Sequence, residues 1–390
     1  MNSAPQGRWR KTQMGIKKRV RMRHRMRRNT RGGFKSGFLK PKPKVAVLLN
    51  RNARKVNAKM IRNIRAQAPH ADIFVTRDIQ EAEQALSQVA HGKYDLCFTG
   101  GGDGTVCHAV TRLSELSGDR SAPPIGVLPL GTGNAIASFL ESPSIEQCVS
   151  APQNARADLL SFPELRVTST PFNASLPKPS KAAFGGFGWD AFILDRYFRW
   201  RDFFKKFKLL KPISEGLIAY LLSGLAWAVP EMLLRRPRWD ITVRNGSKEA
   251  YQLDTDGNIL RTIAPGDLIY QGKARLFSFG TCPFFGFRMK ALPLAAVHPD
   301  MMQVRVADFS PLRTTLSLPK VWRGEFKHPK LWDFLASDFQ VSLSEEAALQ
   351  MGGDVVGHAD RFEVKMSRPA TVLRFGEYQG IKWNIKDHAA

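Results

Sequence analysis

The chain is poor in cysteine, with four in 390 residues. Cys97, Cys107, Cys148 and Cys282 are scattered, and none forms a CxxC pair. That excludes a disulfide framework or a thiolate zinc site and points to a reducing compartment. Long hydrophobic runs are also missing. The longest, GLIAYLLSGLAWAVP from Gly216 to Pro230, falls short of the ~20 residues a spanning helix needs. No apolar core follows the basic start, so no secretory signal is visible. Acidic residues are absent from the first 44 positions, which carry sixteen Lys or Arg of a chain whose net charge is +25. The remainder is only moderately basic. Residues 1–43 therefore read as a self-repelling, disordered basic tail. A solvated start, a contact with anionic lipid or nucleic acid, and a transit segment all fit it. No internal repeat occurs. No GxxxxGK[ST] is present, no GxGxxG follows the first strand, and HRD and DFG are missing. These gaps exclude Walker-type, dinucleotide-fold and protein-kinase readings.

What is present is periodic. PKVAVLLN, ADIFVTRD, YDLCFTG and PIGVLPL read as short buried strands. Each is followed by a helix-like stretch with apolar residues at helical spacing. Four strand–helix alternations predict a parallel sheet with helices on both faces, across residues 44–155. After residue 155 the texture changes. WDITVRNG, GDLIYQGKARLFSFG, MMQVRVADF, RFEVKM and ATVLRFG follow one another with Gly, Pro, Asn and Asp turns between. That predicts an antiparallel β-sandwich over residues 156–376, with a helical insertion at 195–232 and a loop from Thr168 to Lys181. Residues 377–390 form a C-terminal segment that can pack back on the first domain. The fold class is α/β plus all-β.

Chemistry concentrates in two glycine turns. FTGGGDGTVCHAV, Phe98 to Val110, ends a strand and opens a helix. Helix-start N–H groups lack internal partners and suit phosphate oxygens, and glycine lets a polyphosphate lie on the backbone. Asp103 can hold a magnesium ion, and Thr105 can cap the helix or bond a phosphate. PLGTGNAIASFL, Pro129 to Leu140, repeats the pattern one unit later. Gly131, Thr132 and Gly133 can meet the same ligand at the carboxyl edge of the sheet.

GGDGT followed by PLGTGN resembles the catalytic domain of diacylglycerol kinases, sphingosine kinases and bacterial lipid kinases. AFGGFGWDAFIL, PLAAVHPDMMQVRV and QMGGDVVGHADRFEV resemble later segments of the same family. The resemblance spans roughly residues 44–376. It implies a nucleotide-binding α/β domain, a β-sandwich and an active site between them. It implies ATP and Mg2+ as cofactors and transfer of the γ-phosphate to a lipid hydroxyl. It also implies nucleotide contacts from Asn50, Asn52, Thr76, Gly101, Gly102, Asp103, Gly104, Thr105, Gly131, Thr132, Gly133 and Asn134. Catalytic roles fall to Asp103 and to Asp354, which would take the proton of the lipid hydroxyl. A structural metal would rest on Asp300 with the carbonyls of Val297 and Met302. Asp158 matches an Asp near the family's active-site network. Cys107 replaces the family's Asn, Gly352-Gly353-Asp354 replaces its DGE, and Met301 replaces a Gly.

The expected partners are ATP, a lipid substrate and an anionic membrane surface, met peripherally from the cytoplasm. The mixed basic and aromatic stretch from Arg196 to Gly216 suits that interface. A homodimer is left open. Three rival readings stand beside this one: an NAD kinase-like small-molecule kinase of the same fold, a kinase-like protein with a nucleic-acid-binding tail, and a kinase-like protein without activity. The core carries no recognisable nucleic-acid module.

Overall fold

The computed structural model describes residues 43–53, 55–118, 122–168, 180–188, 191 and 237–378. The basic tail up to residue 42, most of the 168–181 loop, the 195–232 insertion, Trp189, Asp190 and residues 379–390 lie outside the described residues.

The first lobe alternates strand and helix. Strands β1 (Val45–Asn50), β2 (Asp72–Thr76), β3 (Leu96–Gly101) and β4 (Ile125–Pro129) alternate with α1 (Ala58–Gln67), α2 (Ile79–His91) and α3 (Asp103–Ser117). Then come α4 (Ala135–Phe139), α5 (Ile145–Ser150) and β5 (Arg156–Leu160). Helix starts follow local chemistry. The Asn57 side chain accepts from Met60 N, the Asp78 side chain accepts from Glu81 N, and Glu81 reaches back to Arg77 N. Such caps satisfy donors that the first turn leaves open. Along β1, Ala46 and Leu48 join a core with Leu86 and Val89 of α2 and Leu113 of α3, while Val47 and Leu49 join Ile64 of α1 and Cys148 of α5. Successive side chains thus enter opposite layers, as a sheet covered on both faces requires.

Strand order is β2-β1-β3-β4-β18-β5, with β18 (Ala370–Arg374) parallel to β4 and antiparallel to β5. Two strands that sequence reading assigns to the second lobe, β5 and β18, thus complete the first sheet. Their signal is an apolar run with no mark of which sheet it joins. From β1 the chain steps outward to β2, then crosses to β3 on the other side. This puts a topological switch point between β1 and β3. The register aligns the carboxyl ends: Asn50 pairs with Thr76, Leu49 with Gly100, and Gly101 with Pro129.

Among the described residues the second lobe is antiparallel and comprises twelve strands. They are β6 (Pro163–Val167), β7 (Ser180–Lys181), β8 (Phe184–Gly188), β9 (Trp239–Asn245), β10 (Ala250–Leu253), β11 (Ile259–Ile263) and β12 (Leu268–Ala274). The rest are β13 (Leu276–Gly280), β14 (Met302–Ala307), β15 (Leu331–Ala336), β16 (Asp338–Met351) and β17 (Asp354–Met366). Long β16 pairs with β9 along its first half and with β8 at its end, and its register against β17 shifts between Ser342 and Ala347. That irregularity lets one strand serve two parts of the sheet. The enclosed core is aromatic. Phe277 stacks on Phe187 at 5.4 Å between centroids and meets Phe339 edge-on at 5.9 Å. The two chain crossings between lobes are tied together: Phe162 N donates to Ser367 Oγ and Ser367 N to Phe162 O.

Candidate active site

Both glycine turns emerge at the carboxyl edge of the first sheet, and they touch. Gly131 packs so closely on the first turn that a methyl group there would meet Gly102 Cα at 2.5 Å and Gly101 O at 2.8 Å. In the first turn, Gly102 caps α3 with extended backbone and no side-chain cap. A methyl group at Gly102 would meet nothing within 4 Å. The helix start therefore opens onto free space, with its first N–H groups unclaimed by any side-chain cap. Thr105 packs its side chain over Gly101, and Asn50 Nδ2 donates to Thr105 Oγ1 at 3.0 Å. The threonine proton is left to serve another acceptor. Asn50 Oδ1 accepts from Asn52 N, and Asn52 Nδ2 donates to Arg77 O.

The second turn is closed by its own asparagine. Asn134 is left-handed (φ 49°), accepts from Gly131 N and donates to Gly131 O. It shapes the turn, while Thr132 stands exposed at its tip.

Asp103 is placed otherwise than a metal ligand would be. Its two oxygens accept from Ala135 N at 3.0 Å and Ile136 N at 2.9 Å, the first N–H groups of α4. The carboxylate clamps one turn to the other. Burial pushes its pKa up, against the lowering effect of those N–H groups. Asp103→Ala leaves two inward N–H groups without a partner, so we expect a loss of about 2–6 kcal/mol at about 1–3 per orphaned group. Urea denaturation checks this; an unchanged midpoint and slope would remove the clamp from the account.

Asp354 reaches the same place from the other lobe. Met351 pairs with Asp354 across a two-residue turn, Gly352 and Gly353, with φ of 63° and 92°. Positive φ at both positions is the hairpin geometry that glycine pairs favour. Gln350, fully buried, accepts from Gly353 N at 3.2 Å and steadies the turn. The hairpin delivers Asp354 to the start of α3: a methyl group at Gly104 would stand 3.7 Å from Asp354 Oδ2.

Other expected residues land elsewhere. Thr76 is buried, with its hydroxyl donating to Leu49 O; it supports the sheet edge rather than facing open space. Asp158 pairs with Arg374, whose guanidinium also bonds Phe139 O and lies 4.5 Å from the Phe139 ring. That pair anchors β18. Cys107 is buried, and desolvation, then nearby Asp103, pushes its thiol up to about 12. It is a neutral packing group beneath the clamp. Asp300 is exposed on a turn whose N–H donates to His298 Nδ1, Met301 packs in the core with Leu294 and Leu335, and Met302 is buried in β14. Among the described residues no three His, Cys, Asp or Glu gather as a metal set. The expected set of one carboxylate and two backbone carbonyls lies outside that count; Val297 and Asp300 stand on the turn that leads into β14, which Met302 opens.

Two contributors escape sequence reading. Lys55 Nζ donates to Pro129 O at 3.3 Å, which puts a cation beside the second turn. From the second lobe, Phe287 N donates to Gly133 O at 2.8 Å, and Gly286 stands against Gly133. Gly286, Phe287 and Arg288 all have positive φ, a run that only surrounding contacts sustain. Buried Arg305 holds this loop from below. It pairs with Asp333 and donates to Ala291 O at 2.7 Å. A glycine between phenylalanines was the available signal, but it marks a turn and not what the turn touches.

Comparison with known proteins agrees with the motifs. Residues 44–161 match the diacylglycerol kinase catalytic domain family. Proteins described as probable YegS-like lipid kinases from Yersinia pestis and Yersinia pseudotuberculosis are 26% identical over 138 residues, 32% of this chain and 46% of theirs. The chain thus spans about half the length of the curated relatives it matches. A diacylglycerol kinase structure and a putative diacylglycerol kinase structure from Bacillus anthracis superimpose with TM-scores of 0.56, at 14% and 16% identity, covering 85% of this chain and 97% of each. These structures share the two-lobe fold, and the family resemblance stated from the motifs holds.

Proposed function

We propose that the chain is an ATP-dependent lipid kinase, which moves the γ-phosphate of ATP to the hydroxyl of a membrane lipid. The observation that carries the reading is one juxtaposition: two glycine turns in mutual contact, with a carboxylate from the opposite lobe beside the helix start. Phosphoryl transfer needs alignment and charge compensation more than covalent help. In this reading the N–H groups at the start of α3 bind phosphate oxygens over Gly102. The Thr105 hydroxyl, fixed by Asn50, donates to another phosphate oxygen. Lys55 offsets charge at the second turn. Asp354 accepts the proton of the lipid hydroxyl as its oxygen forms the bond to phosphorus and the β–γ bridging oxygen leaves with ADP. Magnesium, arriving on the nucleotide, would supply neutralisation of phosphate charge. Asp354 is exposed beside the start of α3 and would stand next to such an ion, which keeps most of its ligands as phosphates and waters.

The acceptor comes from the class of lipid alcohols, which includes diacylglycerol and sphingoid bases. Such a substrate requires contact with a membrane surface, made peripherally in this reading. No helix among the described residues is long and apolar enough to cross a membrane. The test is incubation of the purified protein with labelled ATP, magnesium, vesicles carrying single lipid alcohols, and NAD in a separate reaction. Label in a lipid product supports the proposal. Label in NAD with every lipid left unlabelled replaces it with the small-molecule kinase reading.

A further inference from the structure

The loop that follows β13 touches both halves of the proposed site. On one side it runs along the second turn and α4. Cys282 Sγ donates to Ala135 O at 3.6 Å, Phe287 N to Gly133 O at 2.8 Å, and Arg288 Nη2 to Glu141 Oε1 at 3.2 Å. Gly286 stands flush against the turn. A methyl group there would meet Gly133 Cα at 3.3 Å, and one on Gly133 would meet Gly286 Cα at 3.4 Å. Its φ of 111° also favours glycine.

The same loop reaches the Asp354 hairpin through the preceding residue. The Phe285 ring stacks on the Phe184 ring, with 4.3 Å between centroids and 17° between planes. Phe184 opens β8, and its carbonyl accepts from Gly352 N at 2.8 Å. Gly352 begins the two-residue turn that Met351 and Asp354 flank, and Met351 itself pairs with Gly185 of β8. From Gly133 to Gly352 the path is therefore two backbone hydrogen bonds, one ring stack and the three loop residues Phe285, Gly286 and Phe287.

That path is braced. Phe285 N donates to Met289 O at 3.0 Å and Met289 N to Gly286 O at 2.9 Å, which closes the loop on itself. Beneath it, Arg305 Nη1 donates to Ala291 O at 2.7 Å and Gln303 Oε1 accepts from Leu294 N at 2.8 Å. Both side chains also donate to buried Asp333, at 2.8 Å from Arg305 Nε and 2.6 Å from Gln303 Nε2. A buried network of paired polar groups rigidifies what it holds.

We infer that the Phe285–Gly286–Phe287 run is a spacer that fixes the separation between the second glycine turn and Asp354, with Phe285 as its positioning residue. The chemical consequence rests on the kinase reading. There the turn borders the phosphates and the hairpin carries the proton acceptor, so their separation sets the line of transfer. Alignment is what phosphoryl transfer chiefly asks of a protein. Phe285 acts through Phe184 and the hairpin rather than by contact with the reactants.

Phe285→Leu keeps an apolar group but removes the flat stack, and it tests the spacer in two ways. The first is single-turnover transfer from labelled ATP with magnesium, on phosphatidylglycerol vesicles carrying diacylglycerol or sphingosine. The rate should fall about tenfold with the ATP requirement unchanged, since a small misplacement at a reacting centre is costly. In an Asp354→Asn background the same substitution should cost less than about twofold, because effects that act through one group do not add. The second is hydrogen exchange of the full chain across residues 350–356. The Gly352 amide should exchange about tenfold faster in Phe285→Leu, while α1 exchanges as in wild type. Melting temperature verifies the fold, and Phe285→Met serves as the second variant if it drops. A wild-type transfer rate, a full tenfold loss in the Asp354→Asn background, or unchanged exchange at Gly352 would each overturn the inference. A wild-type chain that labels neither lipid sinks the kinase reading instead, and the exchange result then decides the spacer alone.

Discussion

Asp354→Asn is expected to lower phosphoryl transfer to lipid by roughly 10²–10⁴-fold, the usual contribution of a positioned proton acceptor. ATP affinity should survive, because the proposed phosphate contacts lie on the backbone of the other lobe. The variant keeps the size and hydrogen-bonding reach of the side chain but cannot take a proton. The hairpin is undisturbed, since its geometry comes from Gly352 and Gly353 and from Gln350 beneath. Asp354→Glu restores the carboxylate one methylene further out and should recover part of the rate. Single-turnover kinetics with pre-bound ATP isolate the chemical step. Turnover in Asp354→Asn equal to wild type would assign proton removal elsewhere. A parallel loss of ATP binding would make Asp354 a nucleotide contact.

The second large effect separates two adjacent glycines. Gly131→Ala forces a methyl group to 2.5 Å from Gly102 Cα and 2.8 Å from Gly101 O. Both obstacles are backbone, so the turns must move apart. Overpacking of this kind costs about 1–3 kcal/mol, and displacement of about 1 Å at a reacting centre can cost ~10²-fold. Gly102→Ala makes the opposite demand. Its backbone angle of −83° suits alanine, and nothing lies within 4 Å of the new methyl. It should fold as stably as wild type yet bind ATP weakly, because the methyl occupies the space assigned to phosphates. Melting temperature and ATP titration together resolve the pair. Equal ATP affinity in Gly102→Ala and wild type would mean that no phosphate lies over that backbone.

Much of this site is legible in the residues before any coordinates. The four strand–helix units follow from alternation, and the two glycine turns from their place after strands. The Gly352–Gly353 pair declares a tight hairpin, and Asp354 follows it directly. What stays hidden is contact across long separations. That Asp103 spends its oxygens on Ala135 and Ile136 depends on how α3 and α4 sit side by side. Its residue type and position are equally those of a metal ligand. Thr76 reads as a rim residue because it ends β2, but its register against Asn50 turns the hydroxyl into the sheet. β18 joins the first sheet some 200 residues after β5, and its apolar pattern suits either lobe. The loop at Gly286 bears no motif, only a turn whose partner lies in the other lobe.

These observations give the site a division of labour. The clamp by Asp103 and the contact from Phe287 position the second turn, Asn50 and Asn134 shape the edges, and Gly102 and Gly104 leave the space. The measurement that tests this most directly is a crystal structure of the full chain with magnesium and a non-hydrolysable ATP analogue. The account predicts phosphate oxygens within hydrogen-bonding distance of the N–H groups at Asp103–Thr105, and a γ-phosphate turned toward Asp354. A triphosphate bound away from both turns, or a γ-phosphate pointing away from the second lobe, would contradict it.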